Sequence, residues 1–271
     1  MAERFRRPIL GLAVVAACLL TAGAADADFY DGWKAYQHGD FAKAIAEWRT
    51  LAENGDARAQ FNLGVMYNEG RGVEENAATA VMWWTKAAEH GDGEAQHNLG
   101  MMYLTGHGGM KPDYAKALKW LEAASEQGIP RSQYSLGKMY AEGLWVKRDD
   151  KKAFDYIMQA AEAGIYQAQY NLGKMYRDGR GVAENHKEAA RWFLAGARAG
   201  YDKAQNHIGI RLAKGDGIEK NEVEALKWLI LAARSGNPIA IINRKALADT
   251  MGPDEVAEAE ELARKWQVGQ P

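Results

Sequence analysis

Two Gly-Lys pairs are the first candidates for chemistry in this chain of 271 residues. Gly137-Lys138 and Gly173-Lys174 resemble the end of a phosphate-binding loop, where backbone N–H groups and a lysine hold a phosphate. Such a loop requires Ser or Thr after the lysine, but methionine follows both pairs, and each pair lies in the middle of a predicted helix. The pairs therefore predict no phosphate site.

The remaining patterns typical of catalysis or metal binding are missing from the sequence. No G-x-S-x-G nucleophile elbow occurs, and no pair of acidic residues is singled out by its position. The histidines have no metal-ligand spacing such as H-x-x-x-H. They are His38, His90, His97, His107, His186 and His207. We predict no catalytic residues, no metal site and no cofactor.

The N-terminus has the pattern of a secretory signal peptide, which we assign to residues 1–27. Three arginines precede an apolar run at residues 9–20, and A-x-A cleavage sites follow near Ala24 and Ala27. The apolar run is too short for a comfortable membrane span. We therefore predict a periplasmic or secreted protein with no stable membrane span after cleavage.

Two details leave the form of export open. Arg6-Arg7 loosely fits a twin-arginine signal, and Val15-Ala16-Ala17-Cys18 loosely fits a lipoprotein cleavage box. Lipid anchoring through Cys18 is the alternative to simple cleavage, although the apolar run continues where a lipoprotein usually turns polar. Cys18 is the only cysteine, so the mature chain can form no internal disulfide bond.

The charge of the chain bears on the class of partner. The formal net charge is −2, and loss of the arginine-rich leader would make it more negative. A chain without a basic excess is not expected to bind nucleic acid. We expect protein or peptide partners, and a chain that is monomeric or only weakly self-associating.

A strict internal repeat supplies the elements that position side chains. Its marker dipeptides are Leu63-Gly64, Leu99-Gly100, Leu136-Gly137, Leu172-Gly173 and Ile208-Gly209, spaced by 36, 37, 36 and 36 residues. A regular period of this length indicates a solenoid of stacked units. An aromatic column follows in each unit, at Trp83, Trp120, Tyr156, Trp192 and Trp228, and is predicted to fill space between helices and between repeats. Each unit closes on a glycine, at Gly91, Gly128, Gly164, Gly200 and Gly236.

Each unit is predicted to form two helices, A and B. In the first full repeat, helix A covers residues 57–69 and helix B residues 77–90. Fifteen residues before each closing glycine, and before Gly55 of the N-terminal unit, stands an Asn or Asp that can cap helix B by accepting a backbone N–H bond. These residues are Asp40, Asn76, Asp113, Asp149, Asn185 and Asn221. The closing glycine can adopt the left-handed conformation that ends a helix, and the glycine of each Leu-Gly pair lets helix B approach closely.

The period also sets the predicted domain boundaries. Residues 28–55 form an atypical N-terminal unit, and residues 56–236 form five full repeats. The repeats cover residues 56–91, 92–128, 129–164, 165–200 and 201–236. Residues 237–271 are expected to form capping helices and a tail, with a short helix near 239–247 and a last helix around 256–266.

These columns, A-x-x-x-L-G-x-x-Y-x-x-G-x-G-V followed by an aromatic residue, A-A and Gly, resemble the Sel-like repeats, longer relatives of tetratricopeptide repeats. The resemblance covers residues 56–236, and residues 28–55 look closer to a tetratricopeptide repeat. It implies an all-α, right-handed superhelical solenoid that serves as an adaptor. The second repeat departs from the pattern by one extra loop residue, and the third repeat replaces Gly-x-Gly with Gly143-Leu144-Trp145.

In tetratricopeptide-like arrays helix A lines the concave surface, so the resemblance implies a partner site there. The inward positions and a residue near them are Phe61, Val65, His97, Met101, Tyr134, Lys138, Tyr170, Lys174, Arg177 and Lys203. This surface would be apolar in its first half, and aromatic and basic in its second. We hypothesise that it binds an extended or helical peptide with an acidic segment near Lys138, Lys174 and Arg177. The alternative is that these charges are only solvated and the tyrosines pack between repeats.

The sequence thus favours an exported protein–protein interaction scaffold or regulator. Some bacterial periplasmic Sel-like proteins restrain a sensor kinase and others organise envelope machinery, but no residue here selects between them. One alternative is an envelope-structural protein, lipid-anchored or associated with glycan. The other is a cell-wall enzyme, which would need a catalytic constellation that the sequence does not supply.

Overall fold

The computed structural model describes the backbone of residues 24–269 and the side chains of residues 28–269. The chain divides into two compact units, a first unit up to Ile129 and a second unit from Pro130. Most of the predicted leader, with Cys18, lies outside the described residues, and the first described helix begins at Ala24.

Fourteen α-helices and no strand make up the regular structure of residues 24–269, apart from one short 3₁₀ turn. The first unit contains α1 (Ala24–Gln37), α2 (Phe41–Glu53), α3 (Ala57–Glu69), α4 (Ala77–Glu89), α5 (Gly93–Thr105) and α6 (Tyr114–Glu126). The second contains α7 (Pro130–Glu142), α8 (Asp150–Glu162), α9 (Tyr166–Asp178), α10 (His186–Arg198), α11 (Asp202–Lys214), α12 (Glu222–Arg234), α13 (Pro238–Ala248) and α14 (Pro253–Lys265).

Helices that are consecutive in the chain pack together within each unit, up to α13. The last helix, α14, packs back against α12. This arrangement confirms the predicted all-α fold of stacked helix pairs, in which α3, α5, α7, α9 and α11 are the A helices. Among the described residues, none of the helices is both long and apolar enough to cross a membrane.

The predicted caps of helix B are confirmed at all six positions. Each Asn or Asp side chain accepts a hydrogen bond from the backbone N–H three residues later. The closing glycines have positive φ angles of 78° to 88°, which side chains with a Cβ rarely adopt. Local sequence therefore sets where each helix B begins and ends.

Replacing the cap of α10 gives a test of this local control. Asn185 Oδ1 accepts a 3.1 Å bond from the backbone N–H of Glu188. Asn185→Ala is expected to lower the free energy of unfolding by about 1 kcal/mol, because that N–H loses its partner. Urea denaturation measures the change, and Asn185→Asp serves as the control that keeps an acceptor. Equal stabilities for Asn185→Ala and Asn185→Asp would contradict the capping role.

The Leu-Gly glycines do allow close approach of helix B, as predicted. A Cβ added at Gly64, Gly100, Gly137, Gly173 or Gly209 would lie 2.4–2.9 Å from a side-chain atom of helix B. The facing residues are Trp84, Leu121, Ile157, Phe193 and Leu229, each one position after the aromatic column. The aromatic column itself packs elsewhere: Trp83 lies in a cluster with Trp48 and Leu63, against the preceding helix pair.

A glutamine column that the sequence analysis did not single out joins successive repeats. Four of its members donate from Nε2 to a backbone carbonyl of the preceding helix B. The bonds are Gln60 to Ala52 (2.9 Å), Gln96 to Ala88 (3.1 Å), Gln169 to Ala161 (3.3 Å) and Gln205 to Ala197 (3.3 Å). Gln60, Gln96 and Gln205 are buried and Gln169 is half-buried, so the bonds hold α3, α5, α9 and α11 in register with the preceding repeat.

Candidate functional site

The second unit presents a row of polar side chains from its A helices, at the position two before each Leu-Gly pair. We call Tyr134, Tyr170 and Asn206 the helix A row. Each member is hydrogen-bonded by a residue of the next A-type helix: Tyr134 by Asn171 (3.1 Å), Tyr170 by His207 (3.4 Å) and Asn206 by Asn243 (2.9 Å). The row is therefore a connected network that crosses four consecutive helices of this type.

Two lysines lie beside the tyrosines of the helix A row. Lys138 Nζ is 6.0 Å from the ring centroid of Tyr134, and Lys174 Nζ is 5.7 Å from that of Tyr170. Both distances are within the range of a cation–π contact. Within the described residues, no carboxylate forms an ion pair with Lys138, Lys174 or Lys203. These three ammonium groups remain available to an anionic ligand.

Arg177 differs from these lysines because its charge is already paired. Its guanidinium makes two bonds to the carboxylate of Asp178, at 2.6 and 2.8 Å. Hydrogen bonding from Arg177 lowers the pKa of the Asp178 carboxyl, which keeps the pair ionised. The positive charge at the basic end of the row therefore comes mainly from lysines. Arg177 adds less net positive charge than its sequence position predicts, because Asp178 offsets it.

His207 is held as a neutral ring inside this network. Its ring stacks on Phe193 at 4.8 Å and faces the hydroxyl of Tyr170. Burial lowers the pKa of His207 to about 4, and the charges of Arg177, Arg211 and Lys174 act in the same direction. Burial also raises the pKa of Tyr134 to about 12. At neutral pH the row therefore presents uncharged rings and hydroxyls beneath its lysines.

An open cleft of about 590 Å³ adjoins the end of the row. Its lining includes Lys203, Asn206 and His207 from α11, and Pro238 and Ile239 at the start of α13. Asp202 also lines it, and its carboxylate accepts a 3.0 Å hydrogen bond from Nδ2 of Asn237. The cleft thus combines a lysine, amides and a hydrogen-bonded carboxylate with apolar groups.

The predicted site residues of the first unit have a different environment. Phe61, Val65 and His97 are only 8%, 7% and 7% exposed. Phe61 and Val65 belong to the core cluster around Trp84, whose indole N–H donates to the carbonyl of Phe61 at 3.2 Å. Met101 is half-buried. These side chains contribute to packing, and a partner contact through them stays a prediction.

The residue one before each Leu-Gly pair was missed by the sequence analysis. In the second unit Asn171 and His207 occupy it and bond the helix A row, as Asn243 does at the matching place in α13. In the first unit Asn98 holds the same position, and its buried Nδ2 has no hydrogen-bond partner. In the preceding repeat, the position two before the Leu-Gly pair is Phe61, and its side chain has no atom that could accept a hydrogen bond from Asn98. The repeat period itself was the signal that could have identified this column.

No group of three or more His, Cys, Asp or Glu side chains that could hold a metal ion occurs within the described part of the chain. The surface of the helix A row carries ammonium groups, amides and aromatic faces.

Comparison with known proteins identifies the repeat. Five consecutive segments match the family model named Sel1 repeat: residues 57–92, 93–129, 130–165, 167–201 and 202–237. No curated protein matches the chain. A Sel1 repeat protein from Oxalobacter formigenes is 29% identical, with a TM-score of 0.75 over 88% of this chain and 99% of its own. The protective antigen c5321, present in uropathogenic Escherichia coli strains and displaying an SLR fold, is 25% identical. Its TM-score is 0.60, over 90% of this chain and 61% of its own.

Proposed function

The chain belongs to the Sel1 repeat family, and from this premise we propose that it is an exported scaffold or regulator that binds a partner protein through the helix A row. Sel1 repeat proteins generally mediate protein–protein interaction, are typically non-catalytic and are often exported. The proposed ligand is a peptide segment that carries acidic side chains.

The observation that carries this proposal is the set of unpaired lysines over hydrogen-bonded rings. Lys138 and Lys174 occupy the same position in consecutive repeats, above Tyr134 and Tyr170. Because the rings are fixed by Asn171 and His207, little side-chain entropy is lost when a ligand packs on them. Acidic side chains of a bound peptide would then pair with the lysines while its backbone lies along the row.

Charge reversal at the two lysines tests the acidic ligand. Lys138→Glu/Lys174→Glu is expected to weaken partner binding about tenfold, or about 1.4 kcal/mol, since attraction becomes repulsion at the exposed Lys138 and the half-buried Lys174. The partner would first be captured from the native envelope with the mature protein, and its affinity then measured by titration. Binding of the native protein should also weaken as salt is added.

A matched control separates this effect from a change in net charge. Lys86 and Lys119 also lie over aromatic rings, those of Trp83 and Trp120, but they stand on B helices. Lys86→Glu/Lys119→Glu should leave the affinity unchanged. If the two double variants bind equally well, the helix A row is not the partner site.

A further inference from the structure

The loop between helices A and B reaches back to the preceding helix B at two successive joints of the second unit. At the first joint, Arg180 of the α9–α10 loop pairs with Asp150, the first residue of α8, at 2.9 Å. At the next joint, the matching loop residue is Asp216 and the first residue of α10 is His186. Their side chains meet at 2.6 Å, between Oδ1 and Nδ1. The same contact is thus kept with its charges exchanged, and histidine now supplies the positive charge.

The second ring nitrogen of His186 also faces a carboxylate. Nε2 lies 2.5 Å from Oε1 of Glu184, in the loop just before α10. A carboxylate oxygen can only accept hydrogen bonds, so both ring nitrogens must carry a proton to make both contacts. Only the doubly protonated, positively charged ring satisfies this geometry. Loss of one proton would place a nitrogen lone pair against a carboxylate.

The loop that holds Asp216 is docked closely on the start of α10. A Cβ at Gly217 would lie 2.0 Å from the backbone oxygen of His186, so the loop approaches there as only glycine allows. Arg211 of α11 is 4% exposed, and its guanidinium bonds the backbone oxygen and the carboxylate of Asp216, both at 3.0 Å. Glu184, Asp216 and Arg211 form the ion pairs of this contact, and Arg177 and Asp178 of α9 act electrostatically on Arg211.

We propose that His186 is a proton-dependent latch between the fourth and fifth repeats: the charged ring ties the α11–α12 loop to the start of α10, and the neutral ring releases it. The latch connects to the helix A row through Arg211, which lies over the ring of Phe193 on which His207 stacks. The joint between Arg180 and Asp150 has no group that loses its charge near neutral pH, so it stays closed.

The two carboxylates give the latch its direction of pH response. Hydrogen bonds to Glu184 and Asp216 raise the pKa of His186 above its ordinary value of 6.5. The folded protein therefore holds this proton more tightly than the unfolded chain. The stabilisation is fully present below pH 6.5 and is lost as the pH rises through the raised pKa.

Nuclear magnetic resonance and hydrogen exchange test the latch on the intact protein. The titration of His186, assigned by comparison with His186→Gln, should give a pKa above 6.5. Asp216→Asn should move it toward 6.5, because one carboxylate is lost. Amide protection of residues 215–217, corrected for intrinsic exchange, should fall at least about threefold as the ring loses its proton.

His186→Arg is the matched control, because arginine keeps its charge at every pH tested. Its loop at residues 215–217 should stay protected across the range, and so should the native loop at residues 179–181. A pKa of His186 at or below 6.5, or the same loss of protection in His186→Arg as in the native protein, would overturn the proposal.

Discussion

Gly137→Leu is expected to lower the free energy of unfolding by about 3 kcal/mol, through overpacking between α7 and α8. A Cβ at this position would lie 2.5 Å from Cγ1 of Ile157 and 3.2 Å from its backbone nitrogen. The side chain could move aside, but the backbone of α8 could do so only by separating from α7. The higher helix propensity of leucine opposes the overpacking by about 1 kcal/mol, and the expected loss of about 3 kcal/mol is what remains after this opposing effect.

Chemical denaturation of the two-unit protein, followed by far-UV circular dichroism, measures this loss. Lys138→Leu is the matched control, because it places the same side chain on the next, exposed position of α7. That control should stay within about 0.5 kcal/mol of the native protein. An unchanged free energy of unfolding for Gly137→Leu would contradict the packing of α7 on α8.

Acidification from pH 6.5 to pH 4 is expected to destabilise the second unit by at most about 3 kcal/mol through His207. The folded ring has a pKa of about 4 because it is buried among Arg177, Arg211 and Lys174. The unfolded chain takes up a proton below about 6.5, whereas the folded ring stays neutral until about 4. Stability is therefore fully present above 6.5 and falls through this window, and partial exposure of the ring reduces the full value.

Comparison with His207→Phe isolates this contribution from that of the carboxylates. Phenylalanine keeps the stacking on Phe193 but cannot bind a proton. The free energy of unfolding of the native protein, minus that of the variant, should therefore fall as the pH falls from 6.5 to 4. Parallel pH profiles for the two proteins would show that His207 is not held neutral. The latch at His186 has the opposite sign, so we expect the joint between the fourth and fifth repeats to be most stable between the two pKa values.

The helix boundaries and caps could be predicted because they depend on nearby residues. Asn185 caps α10 by bonding Glu188, and Gly200 has the positive φ predicted for a closing glycine. Both properties follow from a few consecutive side chains and repeat with the period. The fold class followed in the same way, since each repeat must bury the same apolar columns against its neighbours.

The environment of the site residues could not be predicted, because it depends on how each pair of helices packs. Equivalent positions hold Phe61 in the first unit and Tyr170 in the second. The phenyl ring enters the core beside Trp84, where burial of apolar surface is favourable. Tyr170 stays partly exposed, with its hydroxyl on His207. A position counted along one helix does not distinguish these outcomes.

The cleft beside α13 arises where the repeat ends. The place of the Leu-Gly pair is taken there by Arg244-Lys245, and long charged side chains cannot lie beneath a closely packed helix B. The following helix, α14, packs instead on α12, with Ala259 and Ala263 fully buried. The start of α13 is left open beside Lys203. The sequence indicated a capping helix at this end, but the space beside it depends on where α14 packs.

Site-specific photo-crosslinking tests the central claim, that the helix A row binds an acidic segment of a partner protein. A photoreactive amino acid at Ile210 would stand in α11 where Lys138 and Lys174 stand in α7 and α9. The control position is Lys187, which is exposed on α10. We predict that position 210, in the protein produced in its native cells, crosslinks to a peptide rich in Asp and Glu. The crosslink should disappear with Lys138→Glu/Lys174→Glu. Equal crosslinking from position 187, or a crosslink that survives both charge reversals, would contradict the claim.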